Sequence, residues 1–212
     1  MKIFVDSADL EEIRSAVALG YLDGVTMNPA MLSRPRVDLQ EVLPRICALV
    51  NGPVSAPVRA TEAEAIVVEG RGLARLHDNV VVKIPIRHDG LRAMAKLHSE
   101  GIRTHATLCC SANQALLAAK SGAHFVSPFV GRLDDLGAAG MDLVAHIIDI
   151  FDNYEVDTEV LVASVRHPLH VQEAARLGAD GCTMPLGVLE DLARHPLTDT
   201  LYDRYLADWK RS

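Results

Sequence analysis

One lysine of this chain lies in surroundings that suit it for covalent chemistry with a carbonyl compound. Lys83 is embedded in the apolar run Val-Val-Val-Lys-Ile-Pro, whereas the other lysines, of five in all, lie on predicted helices or at the start of the chain. Burial disfavours the charged ammonium and lowers the pKa of a lysine. The free amine can then attack a ketone and form an imine. The alternative is a lysine whose tip escapes at the end of its strand to bind a phosphate or a carboxylate.

Polar side chains also end or follow the other predicted strands. Asp6 ends the first strand, as either a structural carboxylate paired with Lys83 or an acid/base group. Asn28 precedes a proline, a pair that commonly begins a turn. His105 and Thr107 share one face of the fifth strand, because side chains alternate with a period of two. Further polar or aromatic candidates at strand ends are Arg59, Ser127, Phe129, Ser164 and Thr183.

Two arginines are candidates for binding an anion. Arg132 and Arg166 follow the predicted sixth and seventh strands, and phosphate sites in barrels frequently use such late loops. The planar guanidinium matches a phosphate with two parallel hydrogen bonds. A lone arginine is otherwise a solvated surface charge, so the position of the two residues is what favours the anion site.

Two groups of side chains raise the question of a metal. His167 and His170 have a spacing that can ligate a metal, but no third ligand is nearby, and we expect the pair to open a helix. Asp134 and Asp135 are interpreted as solvated loop charges. The four cysteines include no Cys-x-x-Cys pair, so we predict no metal or redox role for them.

Eight short apolar segments alternate with longer helical patterns along the whole chain. Several are nearly continuous in Val, Ile and Ala, as parallel strands buried on both faces are. Strict alternation favours an α/β fold, a closed (β/α)8 TIM barrel, over an open sheet. The predicted strands cover residues 2–6, 24–27, 53–58, 79–84, 104–108, 124–128, 160–164 and 180–184.

The helical patterns carry caps and terminal glycines typical of βα units. We expect Ser7 or Asp9 to cap the first helix, Thr61 the helix after the third strand and Asp89 the helix after the fourth. The predicted helices run to residue 18 and over 38–50, 61–76, 91–99, 111–121, 140–150, 168–177 and 188–195.

An extra helix follows the eighth unit. We predict one domain, with a barrel over residues 1–195 and a C-terminal helix within 196–212. Apolar side chains recur on one face of this helix, and they pack either on the chain's own barrel or on a neighbouring subunit. The residues of this stripe are Leu201, Tyr202, Tyr205, Leu206 and Trp209.

Size and charge restrict the classes of partner. The 212 residues suffice for one domain with a sizeable core, and a net charge of −7 without a basic block makes nucleic acid an unsuitable partner. No apolar run reaches the length of about 20 residues that a membrane helix needs, and the first residues do not resemble a signal peptide. We therefore expect a cytoplasmic protein without a membrane partner.

Four motifs, in the same order, resemble those of the small-subunit transaldolases and the related fructose-6-phosphate aldolase. The likeness spans nearly the whole chain and is specific to the family rather than to one activity. The motifs are Val-Thr-Met-Asn-Pro at 25–29, Val-Lys-Ile-Pro at 82–85, Ser-Pro-Phe-Val-Gly-Arg-Leu-Asp-Asp at 127–135 and Ala-Ser-Val-Arg at 163–166.

The resemblance implies a role for each matching residue. Lys83 corresponds to the lysine that forms the imine, and Asp6 to the acid/base that takes the proton from the C4 hydroxyl. Asn28 corresponds to a residue that binds the dihydroxyacetone moiety, and Thr107 to a hydroxyl that helps hold a catalytic water. The phosphate set is Ser164, Arg132 and Arg166, and the other substrate-binding candidates are Thr26, Phe129 and His105.

The resemblance also implies phosphorylated sugar substrates, a reaction without cofactor or metal, and a homo-oligomer. Family members form decamers of two stacked rings of five, in which the C-terminal helix packs on a neighbour. We accordingly expect a decamer or a pentamer.

Three positions depart from the family pattern. Pro57 replaces a Glu or Gln that positions the proton-shuttling water, and proline has neither a side-chain donor nor a backbone N–H. His105 stands where Asn is frequent, and Met27 where Thr is frequent. We therefore hypothesise a weakened water relay. His105 is either a substitute proton carrier, since imidazole titrates near neutral pH, or a hydrogen-bonded histidine of the barrel core.

These observations predict a transaldolase of the pentose phosphate type. It would move a dihydroxyacetone unit from a ketose phosphate to an aldose phosphate through a Schiff base on Lys83. Phe129 favours this activity, because the aldolases tend to have Tyr there. The alternatives are an aldolase or transaldolase for an unusual sugar, a fructose-6-phosphate aldolase, and a sugar-phosphate binder that has lost catalysis.

Overall fold

Eight parallel strands close into a barrel in the order of the sequence. The computed structural model describes residues 1–32 and 38–210. The predicted (β/α)8 barrel is confirmed, and each strand lies within two residues of its predicted bounds. The strands are β1 Lys2–Asp6, β2 Gly24–Thr26, β3 Val54–Pro57, β4 Val80–Pro85, β5 Thr104–Cys109, β6 Phe125–Pro128, β7 Glu159–Val162 and β8 Gly181–Met184.

Helices surround this barrel, and two of them were not predicted. Both follow a strand at the carboxyl end of the barrel, and their four and five residues are too short to show a helical period. The helices are α1 Leu10–Ala18, α2 Pro29–Leu32, α3 Leu39–Leu49, α4 Ala63–Ala74, α5 His88–His98, α6 Ala112–Lys120, α7 Val130–Asp134, α8 Gly140–Asn153, α9 Pro168–Leu177, α10 Leu186–Asp191 and α11 Pro196–Trp209.

The predicted helix caps are partly right. The side chain of Asp9 accepts two backbone N–H bonds at the start of α1, whereas Ser7 donates to a glutamate of that helix. Thr61 does not cap α4. The helix begins one residue too late for that, and Glu62 occupies the cap position. Asp89 lies inside the first turn of α5, where a carboxylate still interacts favourably with the helix dipole.

The barrel interior is filled at one level by an apolar layer. It consists of Phe4, Val81, Phe125 and Leu161, each at most 1% exposed. The two phenylalanine rings meet edge to face with centroids 5.8 Å apart, a favoured aromatic geometry. Because side chains alternate along a strand, the residues two positions later return to the interior one level higher. A polar layer therefore rests directly on an apolar one.

The last helix, α11, has no buried residue. Its apolar stripe, from Leu201 to Trp209, stays between 38% and 66% exposed. Of the two alternatives left open by the sequence, packing of the stripe on its own barrel is not seen among the described residues. Residues 211 and 212, the end of the predicted helical segment, lie outside the described residues. In the described chain no helix is long and apolar enough to cross a bilayer.

Truncating the interior layer should destabilise the barrel far more than truncating an exposed leucine. We expect Leu161→Ala to lower the free energy of unfolding by about 3 kcal/mol, because a buried side chain is replaced by a cavity. Leu136→Ala removes the same atoms from a residue that is 84% exposed, and should change it by less than about 0.5 kcal/mol. Urea unfolding followed by circular dichroism measures both, and similar losses would contradict the assignment of the layer.

Candidate active site

The amine of Lys83 lies inside the carboxyl end of the barrel. The residue is 5% exposed, and its Nζ donates a 3.0 Å hydrogen bond to the carbonyl oxygen of Met27. Burial lowers the pKa of Lys83, and the nearby Asp6 carboxylate opposes this effect. A desolvated amine with a carbonyl partner is the nucleophile that imine formation requires. The reading of Lys83 as an exposed rim lysine is not supported.

The carboxylate of Asp6 is held by two residues from β2 and the turn after it. Its Oδ1 accepts from Thr26 Oγ1 at 2.9 Å, and its Oδ2 accepts from Asn28 Nδ2 at 3.1 Å. Thr26 and Thr183 also share a 2.6 Å hydrogen bond. The amide oxygen of Asn28 accepts from the backbone N–H of Ala30 at 3.1 Å. The Asn-Pro turn and the acid/base candidate are therefore one connected unit.

His105 is engaged through both ring nitrogens. Its Nδ1 lies 2.6 Å from Ser55 Oγ, and its Nε2 lies 2.7 Å from Ser127 Oγ. The ring is fully buried, and burial together with the neighbouring Lys83 holds the pKa of His105 well below its usual range. The geometry agrees with a hydrogen-bonded histidine of the barrel core. It leaves no free ring nitrogen for a proton carrier, so that hypothesis is not retained.

Thr107 and Pro57 lie beside the amine on the two neighbouring strands. Pro57 pairs with Lys83 across β3 and β4, and it is the last residue of its strand, where a missing N–H is tolerated. The hydroxyl of Thr107 is buried and has no hydrogen-bond partner within residues 1–32 and 38–210. A buried hydroxyl without a protein partner calls for a water or a substrate atom.

The two arginines converge on one carboxylate. Both nitrogens of the Arg166 fork lie 2.5 Å from the oxygens of Asp135, and Arg132 lies 3.7 Å from the same group. This pairing lowers the pKa of Asp135. Asp135 is exposed, as expected of a solvated loop charge, but it is also paired with Arg166. The two ends of the pair are 31 residues apart, so only the juxtaposition of the strand-end loops reveals it.

The loops that carry these arginines are tightly packed against each other. Ser164 has a left-handed backbone with φ of 60°, and its carbonyl oxygen accepts from the Gly131 N–H at 3.2 Å. A Cβ on Gly131 would lie 2.4 Å from that oxygen and 2.7 Å from Nε of Arg166. Only glycine therefore fits here, and the sixth and seventh loops form one surface. Phe129 is joined to Ala163 by a β-bridge at the same junction.

Four other predicted residues lie elsewhere or act only through the backbone. The side chain of Met27 belongs to the large buried apolar cluster. The replacement of the family's frequent Thr by Met at this position therefore does not change the side chains of the site. Arg59 lines a separate cleft between α3 and α4. The rings of His167 and His170 stack at 3.8 Å, and His170 contacts Asp134. Within the described residues no three candidate ligands come together to hold a metal.

Comparison with known proteins identifies the family. The model of the family described as Transaldolase/Fructose-6-phosphate aldolase matches residues 3–211. The chain belongs to this family. The family predicted from the four motifs is thereby confirmed, and the chain is an enzyme of the transaldolase/aldolase class.

Several relatives are similar to this chain over nearly their whole length. A protein of Myxococcus xanthus described as a probable transaldolase is 56% identical over 212 residues, which are 100% of this chain and 95% of that protein. Proteins with the same description from Anaeromyxobacter sp. and Aquifex aeolicus are 56% and 54% identical, each over 100% of this chain and 98% and 97% of their own.

A solved structure supports the fold alone. A crystal structure from Coccidioides immitis described as a fructose-1,6-biphosphate aldolase superposes with a TM-score of 0.59 at 13% identity. The superposition covers 93% of this chain and 81% of the solved chain. At this identity the likeness reports the barrel and says nothing of the substrate.

Replacing the buried amine should stabilise the protein in a way that depends on pH. The lowered pKa of Lys83 means that the unfolded chain binds a proton more readily, so this residue destabilises the fold below its unfolded pKa of about 10.4. We expect Lys83→Met to raise the free energy of unfolding at about pH 7, and the gain to shrink as the pH rises towards 10. Urea unfolding across this range measures it.

A surface lysine provides the control for this experiment. Lys120→Met removes a charge from an exposed position at the end of α6. Its effect should stay within about 0.5 kcal/mol at each pH. A Lys83→Met gain that grows with pH, or a matching curve for the control, would contradict a desolvated amine.

Proposed function

We propose that this chain is a transaldolase that carries a dihydroxyacetone unit on Lys83 from a ketose phosphate to an aldose phosphate. The observation that supports it most is the buried amine of Lys83 beside the carboxylate of Asp6. The family and the description of its relatives as probable transaldolases support the same activity. Fructose 6-phosphate serves as the donor in the steps below.

The first step is imine formation. The lone pair of Lys83 Nζ attacks the C2 ketone, and the carbinolamine then loses water to give the imine. The free amine is available because burial lowers its pKa. The Thr107 hydroxyl, buried and without a protein partner among the described residues, suits the water that this step releases. Pro57 adds no second holder, so we expect dehydration to be the slow step.

The second step is carbon–carbon cleavage. Asp6 takes the proton of the C4 hydroxyl, the C3–C4 bond breaks, and its electron pair moves into the imine to give an enamine. Glyceraldehyde 3-phosphate leaves. The bonds from Thr26 and Asn28 orient the carboxylate, and the family resemblance implies that Asn28 also binds the three-carbon unit. Attack of the enamine on an acceptor such as erythrose 4-phosphate, with return of the proton by Asp6, reverses the sequence.

Arg166, Arg132 and Ser164 are the proposed phosphate site. The chain carries a net charge of −7, so a phosphate needs local cations. The Arg166 fork already faces the loop surface, where Asp135 holds it by two hydrogen bonds. A substrate phosphate would exchange with or share this carboxylate, because both are anions that suit the same planar fork.

Phe129 favours transfer over release of free dihydroxyacetone. The aldolase that the chain resembles tends to have Tyr at this position, whose hydroxyl can assist hydrolysis of the enamine. A phenylalanine at the junction of the sixth and seventh loops has no such group. A fructose-6-phosphate aldolase is therefore the second candidate, and one assay separates it from the first.

The assay combines trapping with product analysis. Fructose 6-phosphate and borohydride should give a covalent adduct on Lys83 of the wild-type chain, detected by peptide mass spectrometry. Lys83→Met should give none, while Lys120→Met should behave as the wild type. Glyceraldehyde 3-phosphate should accumulate only when erythrose 4-phosphate is present. Free dihydroxyacetone without the acceptor means an aldolase, and a wild-type chain without an adduct means a binder that has lost catalysis.

The apolar stripe of α11 supports a proposed oligomer. At least five large apolar side chains of one helix are exposed, and exposed apolar patches of this kind mark interaction sites. We propose one domain, the barrel of residues 1–195 with the helix of 196–212, whose stripe packs on a second copy. A pentamer or a decamer is the assembly that the family resemblance implies. We place this enzyme in the cytoplasm, where sugar phosphates are metabolised.

The assembly should depend on the stripe. We expect the wild-type chain to sediment as an oligomer, and Tyr205→Asp to shift it towards the monomer, because a carboxylate in an apolar interface loses its hydration. Tyr154→Asp changes a tyrosine outside the stripe that is 74% exposed, against 57% for Tyr205, and should leave the mass unchanged. Analytical ultracentrifugation measures all three, and a monomeric wild-type chain would contradict the proposal.

A further inference from the structure

The hydrogen bonds around His105 have a fixed direction. Ser127 Oγ donates at 2.6 Å to the carbonyl oxygen of Leu161, which can only accept. The single hydroxyl hydrogen of Ser127 is thereby committed, so Ser127 must accept from Nε2 of His105. Nδ1 of the neutral ring then carries the lone pair, and Ser55 donates to it. One carbonyl therefore selects the Nε2–H tautomer.

This chain of bonds crosses the barrel directly beside Lys83. Ser55 lies on β3 and His105 on β5, so their bond passes the interior face of β4. Val81 and Lys83 are successive inward residues of β4, and Val81 belongs to the apolar layer. The imidazole therefore lies at the boundary between that layer and the amine, and it stacks edge to face on Phe125 at 5.8 Å.

Burial of the ring and the charges near it keep it uncharged. Lys83 on β4 and His124, which directly precedes β6, both disfavour the imidazolium. Asp6, on β1, is the carboxylate of this layer, and it is held by other side chains. Pro57, which flanks Lys83 on the side opposite His105, carries no charge. Pro57 therefore adds no charge to the surroundings of the neutral ring.

We infer that His105 is a positioning residue for Lys83, and that its neutral ring and the uncharged Pro57 form a coupled pair. The inference rests on the proposed function, since Lys83 is taken as the imine-forming group. Position 57 and His105 lie two strands apart, about 9.6 Å at about 4.8 Å per strand. The short side chain of Ser55, two residues earlier on β3, already reaches Nδ1, so the longer side chain of a glutamate at position 57 would approach it too. It would favour protonation there, displace the Ser55 hydroxyl and shift the ring away from the amine.

Nitrogen NMR of the ring tests the tautomer without reference to activity. The chain has nine histidines, and the signals of His105 are assigned by their loss in His105→Asn. We expect a protonated Nε2 and an unprotonated Nδ1 that do not titrate from about pH 6 to about pH 9. A proton on Nδ1, or an imidazolium at neutral pH, would overturn the inference even if the chain proves to be a transaldolase.

A double-mutant cycle tests the coupling to Lys83. We expect Pro57→Glu to slow borohydride trapping at about pH 7.5 by about tenfold or more, and His105→Asn to slow it by a few fold. The double variant should be no slower than His105→Asn alone, because the conflict between the carboxylate and the imidazole has gone. Effects that multiply in the double variant would overturn the coupling.

The isosteric variant Pro57→Gln separates charge from shape. It adds the same side-chain length as Glu without the charge, and its amide can hold the water that Pro57 cannot hold, so trapping should become faster or slow by less than about threefold. Equal losses in Pro57→Gln and Pro57→Glu would assign the effect to strand distortion and overturn the inference. A wild-type chain that forms no adduct would contradict the proposed function instead, whereas the nitrogen spectrum would still decide the state of His105.

Discussion

The structure depends on keeping one amine out of water while leaving it open to a carbonyl compound. A buried lysine is unfavourable when charged, and its alternatives are to pair, to reach solvent or to lose its proton. The interior layer of Phe4, Val81, Phe125 and Leu161 closes the barrel beneath Lys83. At the carboxyl end, the described residues directly after β2, β6 and β8 form loops and the short helices α2, α7 and α10. A substrate of the proposed imine-forming amine would enter from this end, whereas the apolar layer closes the other.

Strand parity produces this arrangement from a simple pattern. Each strand of the interior layer carries an apolar residue and, two positions later, a residue of the upper level: Phe4 and Asp6, Val81 and Lys83, Phe125 and Ser127. A shift of one residue in register would send the whole set to the outer face. The stability of the apolar layer and the geometry of the site thus have the same cause. Burial of four side chains fixes the register that aligns the polar groups.

The sequence was informative wherever a signal is local. Short-range patterns predicted the strands, the burial of the run around Lys83 and the helix cap at Asp9. All three agree with the structure. Helices α2 and α7 were missed because four or five residues show no period.

The contacts that complete the site escaped prediction for another reason. Ser55 meets His105 across 50 residues, and Asp135 meets Arg166 across 31. Both pairs exist only because the barrel closes in one register, which no local pattern contains. His105 illustrates the limit. Its type allowed either a proton carrier or a core histidine, and the bonds at both nitrogens, which the sequence could not show, favour the core histidine.

The pairing of Arg166 with Asp135 bears on how an acidic protein binds an acidic substrate. Without the phosphate, the fork is not a free cation, since a carboxylate at 2.5 Å already satisfies both donors. At the proposed phosphate site, the affinity for a sugar phosphate would be the difference between two charge-assisted pairs of similar geometry, and not the full strength of one. A modest difference would suit the proposed reaction, in which two phosphorylated sugars leave the same loops in each cycle. Tight binding of the ground state would slow their release without accelerating the chemistry at Lys83.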